Sequence, residues 1–476
     1  MLKVVKFGGS SLADAAQIKK AKDIILSDPD RRFVIDSAPG KRGPDDDKIT
    51  DLLYDCQKKA AAGKDFQSIL AKIRSRFEGI ASELGLTPLC SSSADKTTAG
   101  LASHEKPDFL VCPIDICNQT TLSLEEEFSI IESRLCTGAD AAYAASRGEY
   151  LNGRIMAAYL GFEFVDPADF IRFRDDGTPD LQTTNRLGQK RLSGLKNAVI
   201  PGFYGINKDG RICTFPRGGS DITGSIVAGA VDADVYENWT DVSGFLVADP
   251  RIVDHPVVIE TITFSELREL SYMGAGVLHE DSIFPLRGKS IPIHIRNTNF
   301  PEDKGTRIVE SSAGISPHII TGVAGKKNFC GINIEKDRMN NEIGFVRRVL
   351  TAFEDAGIPV EHVPTGIDTM TVFVNQEDFI SKEQFIVSEI HRQVDPDLME
   401  IESDLALIAV VGRGIRGSRG QTASKLFSAL AGASVNIRML DQGSSEINII
   451  IGVENKDFER AIRAIYDAFV NRSRRI

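Results

Sequence analysis

Val4-Val5-Lys6-Phe7-Gly8-Gly9-Ser10-Ser11 opens the chain with a short apolar run that breaks into two glycines and two serines. Such a run reads as a buried strand ending in a tight turn. Ala15, Ile18, Ala21 and Ile25 then recur at helical spacing, and Phe33-Val34-Ile35 supplies the next apolar run. Strand, helix and strand in succession predict a βαβ opening, because parallel neighbours need a crossover between them. The expected class is therefore α/β, a mainly parallel sheet between helices. Later segments keep the alternation. Phe109-Leu110-Val111 reads as a strand, Asn152 to Leu160 as a helix, Val199-Ile200 as a strand before the turn Pro201-Gly202, and Ile222 to Val231 as a small-residue helix. The polar run from Ser91 to His104 reads as a surface loop.

The chain has 476 residues, 42% hydrophobic and 26% charged, enough for two or three domains with a large core. No window is long and apolar enough to span a membrane. Lys plus Arg number 56 against 67 Asp plus Glu, a net charge of −11 that disfavours a nucleic-acid partner. The N-terminal MLKVVKFGGSSLAD lacks the apolar core of a secretory signal. Seven cysteines (Cys56, Cys90, Cys112, Cys117, Cys136, Cys213 and Cys330) form no CxxC, and Cys112 and Cys117 alone make a poor zinc site. An odd, scattered set suits reduced thiols, so a cytoplasmic enzyme without a membrane partner is expected.

Past Glu310 the segment SSAGISP reads as a linker, and a repeat follows it. Val346, Leu350 and Phe353 form a helical stripe, with strands at Ile358-Pro359-Val360 and Met370 to Val374. At an offset of 77 residues stand Ala423, Phe427 and Leu430, then Val435-Asn436-Ile437, then Ile447 to Ile451. Phe458, Ile462, Ile465 and Phe469 mark a closing amphipathic helix. Two small α+β modules of about 70–80 residues are predicted.

Four segments carry charge on turns. Lys6 with Gly8, Gly9 and Ser10 sits where a strand meets a helix, so backbone N–H groups and an ammonium can face a phosphate; a plain structural turn fits equally well. Phe215-Pro216-Arg217-Gly218-Gly219-Ser220-Asp221 puts a cation and an anion on one glycine turn, suiting a substrate carboxylate and a neighbouring lysine, or a structural ion pair. Trp239-Thr240-Asp241 and Asp249-Pro250-Arg251 offer groups for a nucleotide, or ordinary turns. Ser146-Arg147-Gly148-Glu149 opens the helix at Asn152, where Glu149 either holds an ammonium or complements the helix N-terminus.

In this order and at these separations, KFGGSS, the GExL segment at Glu149, RGGSD, WTDVSG and DPR resemble the aspartate kinases of the amino-acid kinase superfamily. SVNIRML and GSSEINIII resemble that family's ACT modules, ferredoxin-like α+β units that bind amino acids, and the likeness spans nearly the whole chain. The resemblance implies a catalytic domain at residues 1–310 and regulatory modules at 318–402 and 403–476, intertwined so that the boundary is nominal. It implies phosphoryl transfer from Mg2+-bound ATP to the β-carboxylate of L-aspartate. Lys6 and Asp221 would be catalytic. Thr50, Glu149 and Arg217 would hold aspartate, while Gly8, Gly9, Ser10, Thr240, Asp241, Asp249 and Arg251 would join Lys6 at the nucleotide. Mg2+ would arrive with ATP, without a dedicated protein site.

The chain departs from the family at Gly276, where a nucleotide-contacting lysine is usual; Lys289 is a possible substitute. The loop Pro39 to Lys48, PGKRGPDDDK, is longer than usual and suits either a mobile lid or a solvated loop. An amino-acid effector, lysine favoured and threonine possible, is expected near Met339, Gly344 and Glu361, although lysine-sensitive relatives carry Ser and Asp at Pro359 and Glu361. The modules would pair subunits into a homo-oligomer. The Gly412–Gly420 run, rich in Arg and Gly, is read as a loop, and His279 and His294 as structural histidines. A sister kinase for another amino-acid carboxylate and a non-catalytic amino-acid sensor are the rival readings.

Overall fold

The computed structural model describes residues 1–86, 123–216, 218–276, 278, 282, 285, 286, 288–310, 319–418 and 420–471. The expected strand at Phe109, the Ser91–His104 loop, the SSAGISP linker, Arg217 and His279 lie outside them. By its internal contacts the chain forms two units: Met1–Ser243 with Asp281–Asp303, and Gly244–Glu280 with Lys304–Ile476.

The first unit opens with β1 (Lys3–Phe7), α1 (Ala15–Leu26) and β2 (Arg31–Asp36), the βαβ element the N-terminal pattern predicts. Asp14 starts α1 by accepting the Gln17 N–H at 2.9 Å, and Ala15, Ile18, Ala21 and Ile25 are buried. Then come α2 (Ile49–Ala61), α3 (Gln67–Glu83), α4 (Leu124–Cys136), α5 (Ala141–Leu160), β3 (Glu163–Phe164), α6 (Leu181–Leu192) and β4 (Ala198–Pro201). A small antiparallel hairpin, β5 (Tyr204–Ile206) and β6 (Ile212–Thr214), precedes α7 (Gly219–Ala230) and β7 (Val235–Thr240). Beyond β8 (Thr261–Thr263) and α8 (Phe264–Tyr272) of the second unit, β9 (Ile293–Asn297) completes the set. Six strands lie in the order β3-β4-β2-β1-β7-β9, every pair parallel. Val4, Val5 and Phe7 are wholly buried, as a central strand covered on both faces requires. The strand order reverses direction at β1, with β2 on one side and β7 on the other, so a crevice opens at the carboxyl ends of β1 and β7.

One boundary is corrected here. The helix expected from Asn152 starts eleven residues earlier, at Ala141, where the Asp140 side chain accepts the Tyr143 N–H at 2.8 Å. Alanine-rich AAYAAS has high helix propensity but little periodicity, so the pattern hid this turn. Glu149 is therefore in mid-helix, and the helix-dipole reading of it falls away.

In the second unit β8 pairs in parallel with β10 (Thr306–Val309). There follow β11 (Gly322–Glu335), α9 (Phe345–Asp355), β12 (Val360–His362), β13 (Thr369–Asn375), α10 (Gln376–Ile380), α11 (Glu383–Val394), β14 (Leu398–Val411), α12 (Gln421–Gly432), β15 (Met439–Asp441), β16 (Asn448–Glu454) and α13 (Phe458–Tyr466). The antiparallel sheet runs β12-β13-β11-β14-β16-β15. Both 14-residue strands serve two modules. Residues 329–335 of β11 pair with β13 while 322–327 pair only with β14, and residues 405–411 of β14 pair with β16. At the changeover Asn328 and Asp404 adopt φ of 68° and 60°, and the register shifts. Asn455 Oδ1 accepts the Asn328 N–H, and Gln376 Oε1 accepts the Asp404 N–H, the same device in each module.

The repeat thus corresponds to two interlocked βαββαβ modules; Phe353 and Leu430 are buried as expected, but the earlier positions of each stripe sit one residue off. Phe345, Val349, Ala352 and Phe353 are buried on α9, and Leu426 and Leu430 on α12, whereas Val346 and Phe427 are each 37% exposed. Val435-Asn436-Ile437 is not a strand. Ser434 turns with φ 54°, the Val435 N–H closes on the Leu430 carbonyl at 3.0 Å, and buried Val435 seals the end of α12. Replacing Phe353, wholly buried, with alanine should cost roughly 3–5 kcal/mol. Phe427→Ala should cost well under half of that. Chemical denaturation of the two variants checks the assignment, and equal losses would refute it.

Candidate active site

The carboxyl ends of the central strands collect the charged residues of the first unit. Lys6 is the penultimate residue of β1 and lies opposite Asn238 in the β1–β7 pair, so both side chains rise on the same face. Above them stands the first turn of α7. Lys6 Nζ meets Asp221 Oδ1 at 2.5 Å, and Asn238 Nδ2 donates to the same oxygen at 2.8 Å. The Tyr236 hydroxyl donates to the Asp221 carbonyl at 3.3 Å. Lys6 is 8% exposed, so the pair is largely screened from water but reachable from the crevice. An anionic Asp221 also suits the positive end of α7.

The turn after β1 is more constrained than its glycines suggest. The Gly8 N–H donates to the Trp239 carbonyl at 3.0 Å, so it is not free for a phosphate. This corrects the expectation that Gly8 and Gly9 share that duty. Gly9 and Ser10 begin the short 3-10 turn Gly9–Leu12, and first-turn N–H groups have no partner within a helix. Gly9 packs against the loop after β2: Gly40 N–H donates to its carbonyl at 2.8 Å, and a Cβ on Gly9 would lie 2.9 Å from the Ala38 carbonyl oxygen. Only glycine fits that approach.

Glu149, on α5, is buried. Burial pushes its carboxyl up to about 8, against the opposing pull of the Ala38 N–H and then of Arg147. Thr50 is half-buried in the first turn of α2, and its neighbour Ile49 packs near Gly148, so α2 brings Thr50 to the same part of the fold. Thr240 ends β7, its hydroxyl donating to Asp241 at 3.2 Å. In the second unit, Arg251 grips Asp249 through Nε and Nη2, which holds the Asp249 carboxyl below its usual range.

Three further expectations meet the structure. Lys289 donates to the Gly229 carbonyl and to Asp232 at 2.9 Å, at the far end of α7, where Gly229 is about 12 Å from Asp221 by helix rise. It cannot stand in for the missing lysine, and Gly276 is exposed with open space about its Cα. The Pro39–Lys48 loop is tied down rather than free. Arg42 and Arg76 both meet Asp46, at 2.9 and 3.0 Å, and Lys72 meets Asp47 at 2.6 Å. In the second unit, Met339 is a core residue of the first module, Gly344 caps α9, and Glu361 on the edge strand β12 accepts a hydrogen bond from the Tyr272 hydroxyl at the end of α8. The arginine–glycine run is a structural loop there, its Arg413 paired with buried Glu266 at 3.0 Å.

Sequence reasoning missed Asn238, Asp36 and Asn152. Asn238 had a signal, a polar residue inside the apolar run of a central strand. Asp36, wholly buried at the end of β2, had the same one. Among the described residues no group of three His, Cys, Asp or Glu could hold a metal ion, no helix is long and apolar enough to cross a membrane, and Cys56, Cys136, Cys213 and Cys330 are free thiols.

Comparison with known proteins agrees with this geometry. Residues 1–297 match the amino acid kinase family and residues 408–469 an ACT domain. Aspartokinase 3 of Bacillus subtilis is 38% identical over 98% of both chains. The crystal structure of Clostridium acetobutylicum aspartate kinase superposes with a TM-score of 0.85 at 44% identity, covering 99% of this chain and 100% of that one. E. coli aspartokinase III shares the fold at 24% identity, with TM-scores of 0.69 in complex with aspartate and ADP and 0.70 in complex with lysine and aspartate, over 98% of this chain and 99% of that one. A parallel sheet with a lysine–aspartate pair at its switch point, followed by interlocked ACT modules, places this chain in the amino acid kinase family, among the aspartate kinases.

Proposed function

We propose that the chain transfers the γ-phosphoryl group of Mg2+-ATP to the β-carboxylate of L-aspartate, giving 4-phospho-L-aspartate as the first step of aspartate-derived amino-acid biosynthesis. The observation that carries this is the Lys6–Asp221 contact of 2.5 Å at the carboxyl end of β1. A carboxylate oxygen attacks the γ-phosphorus, the bond to the β–γ bridging oxygen breaks, and ADP leaves. The nucleophile is ionised at neutral pH, so no general base is required. The difficulty is bringing two anions together, a matter of position and neutralisation.

Lys6 neutralises the transferring group, Asp221 holds its ammonium in place, and Asn238 fixes Asp221. The Gly9 and Ser10 N–H groups meet phosphate. Glu149 takes the substrate ammonium, Thr50 hydrogen-bonds a substrate carboxylate, and Arg217 grips the α-carboxylate. Thr240, Asp241, Asp249 and Arg251 serve the nucleotide. Mg2+ travels on the phosphates, which suits its preference for phosphate and water oxygens. Catalysis belongs to residues 1–310 in this reading, and regulation to the modules at 318–402 and 403–476.

The regulatory reading rests on Glu361. Its carboxylate would receive the ammonium of an amino-acid effector near Met339 and Gly344, lysine before threonine, in line with the lysine complex of E. coli aspartokinase III. Because Glu361 is engaged by Tyr272, effector and α8 compete for one carboxylate, which ties effector binding to the helix that leads into Gly276. The exposed Val346 and Phe427 leave apolar surface for a homo-oligomer through the modules.

Three outcomes are expected. Mg2+-ATP and L-aspartate should yield a hydroxylamine-trappable acyl phosphate, and lysine or threonine should suppress it. No product from folded, ATP-binding protein would shift the reading to another acceptor carboxylate or to an amino-acid sensor. Lys6→Ala should lower kcat by about 10²–10³ while circular dichroism stays native, and near wild-type turnover would sink the role given to Lys6. Tyr272→Phe should free Glu361 and lower the half-inhibiting effector concentration about two- to tenfold, the worth of one hydrogen bond. An unchanged inhibition curve would disconnect Tyr272 from regulation.

A further inference from the structure

Between the end of β2 and the middle of α5 lies a buried cluster made of acceptors. Asp36 and Asn152 are wholly buried and Glu149 is 6% exposed. Asp36 Oδ1 and Oδ2, Glu149 Oε2 and Asn152 Oδ1 all lack a hydrogen-bond partner. Glu149, Asn152 and Gly153 share one face of α5 at i, i+3 and i+4. Gly153 lets the strand end approach: a Cβ there would lie 2.8 Å from Asp36 Oδ1 and 2.8 Å from Pro201 of β4. Asn152 Nδ2 gives one of its two N–H groups to the Ser37 carbonyl at 2.8 Å, and the remaining one only partly offsets the burial of the Asp36 carboxyl.

Nearby cations do not answer these oxygens. The Arg147 guanidinium lies over the rings of Tyr143, Tyr150 and Tyr204, at 4.8, 4.5 and 5.4 Å, and bonds Ser146. Lys6 on β1 is spent on Asp221. Tyr54 on α2 offers no cation: burial, and after it Glu149, pushes its hydroxyl up and so opposes its ionisation. An ionised carboxylate is acceptor-only, whereas a protonated one brings an O–H donor. Three carboxyl oxygens, from two acids, and one amide oxygen therefore share a buried site short of donors, which favours protonated acids there.

We propose that substrate recognition in this chain is proton-linked: the Asp36–Glu149 cluster is protonated in the free enzyme, and an arriving substrate ammonium displaces the Glu149 proton to solvent while Asp36 keeps its own. The step balances as Glu149–COOH plus substrate –NH3+ giving the carboxylate–ammonium pair and one released proton. Asp36 is then a positioning residue, a neutral acid whose O–H serves the cluster. Burial, and after it the neighbouring Glu149, pushes the Asp36 carboxyl well above the usual range; Glu149, 6% exposed where Asp36 is wholly buried, is the acid an ammonium can reach and so the group that yields. The inference rests on Glu149 as the ammonium partner.

Isothermal titration of the full-length protein with L-aspartate, at pH 6.5–7 in buffers of different ionisation enthalpy, counts the protons. Close to one proton should be released per aspartate, falling towards zero near pH 9. The apparent KM for aspartate should fall about tenfold per unit as pH rises towards about 8, then level off. Asp36→Asn, neutral at every pH, should keep both the release and the profile; loss of release in that variant would mean Asp36 is the group that ionises and would overturn the assignment. Glu149→Gln should bind aspartate weakly and release nothing. Wild-type protein that binds aspartate without releasing a proton overturns the linkage while leaving Glu149 as ammonium partner. Wild-type affinity in Glu149→Gln would instead remove Glu149 from the substrate site altogether.

Discussion

The buried pairing of Lys6 with Asp221 is the constraint around which the first unit is built. An ammonium at the end of a central strand is tolerated because a carboxylate meets it, and breaking such a pair by removing one partner costs about 3–5 kcal/mol. To supply that carboxylate, α7 must begin directly above β1, and its first turn must clear the sheet closely. The small residues of GSDITGSIVAGA allow this, nearly all of them buried. Asn238 then occupies the one β7 position that faces the pair, opposite Lys6 in the register. The first strand of the chain is thus fixed to the distant α7 and β7 by one ion pair, and the crevice they border follows from the strand order.

A second constraint governs the C-terminal part. Each small module lacks enough sheet to close its own core, and the chain solves this by running two long strands through both. Neither module can then lose its register without disturbing the other. Asn328 and Asp404 mark where the strands change allegiance. Positive φ there re-aims the side chains so that residues on both sides of the changeover still face a helix layer. Asn and Asp are among the few non-glycine types that accept this conformation readily. A regulatory signal entering at one module would meet a structure that moves as a unit.

Much of this was legible in the sequence, and the limits are physical. The βαβ opening and the spacing of the repeat were legible because strand and helix periods leave marks on apolar residues. The start of α5 was invisible because alanine carries propensity without pattern. On α9 and α12 the stripes held at Phe353 and Leu430 but slipped by one earlier, because adjacent apolar residues, Phe345 beside Val346 and Leu426 beside Phe427, both fit a helical period and only packing chooses between them. Lys6 and Asp221 could be named individually, but their contact depends on tertiary register. Gly8 looked free for a ligand, and its N–H proved to be spent on β7. Asp36 was passed over as part of a strand, although an acid at the end of an apolar run was the visible sign of a buried charge.

The two acidic and basic centres of the first unit divide the electrostatic work of joining anions. Lys6 has its partner Asp221 already in place, at 2.5 Å, before any phosphate arrives. The Asp36–Glu149 cluster behaves in the opposite way, since burial makes its charge conditional on a partner. An acidic group that stayed ionised in the empty site would repel the two carboxylates of the substrate it has to admit. Kept neutral until an ammonium arrives, it places no such barrier and still forms a full ion pair in the complex. On the proposed reading, an ion pair formed in advance at Lys6 and another formed only on arrival at Glu149 answer together the problem of bringing two anions into one crevice.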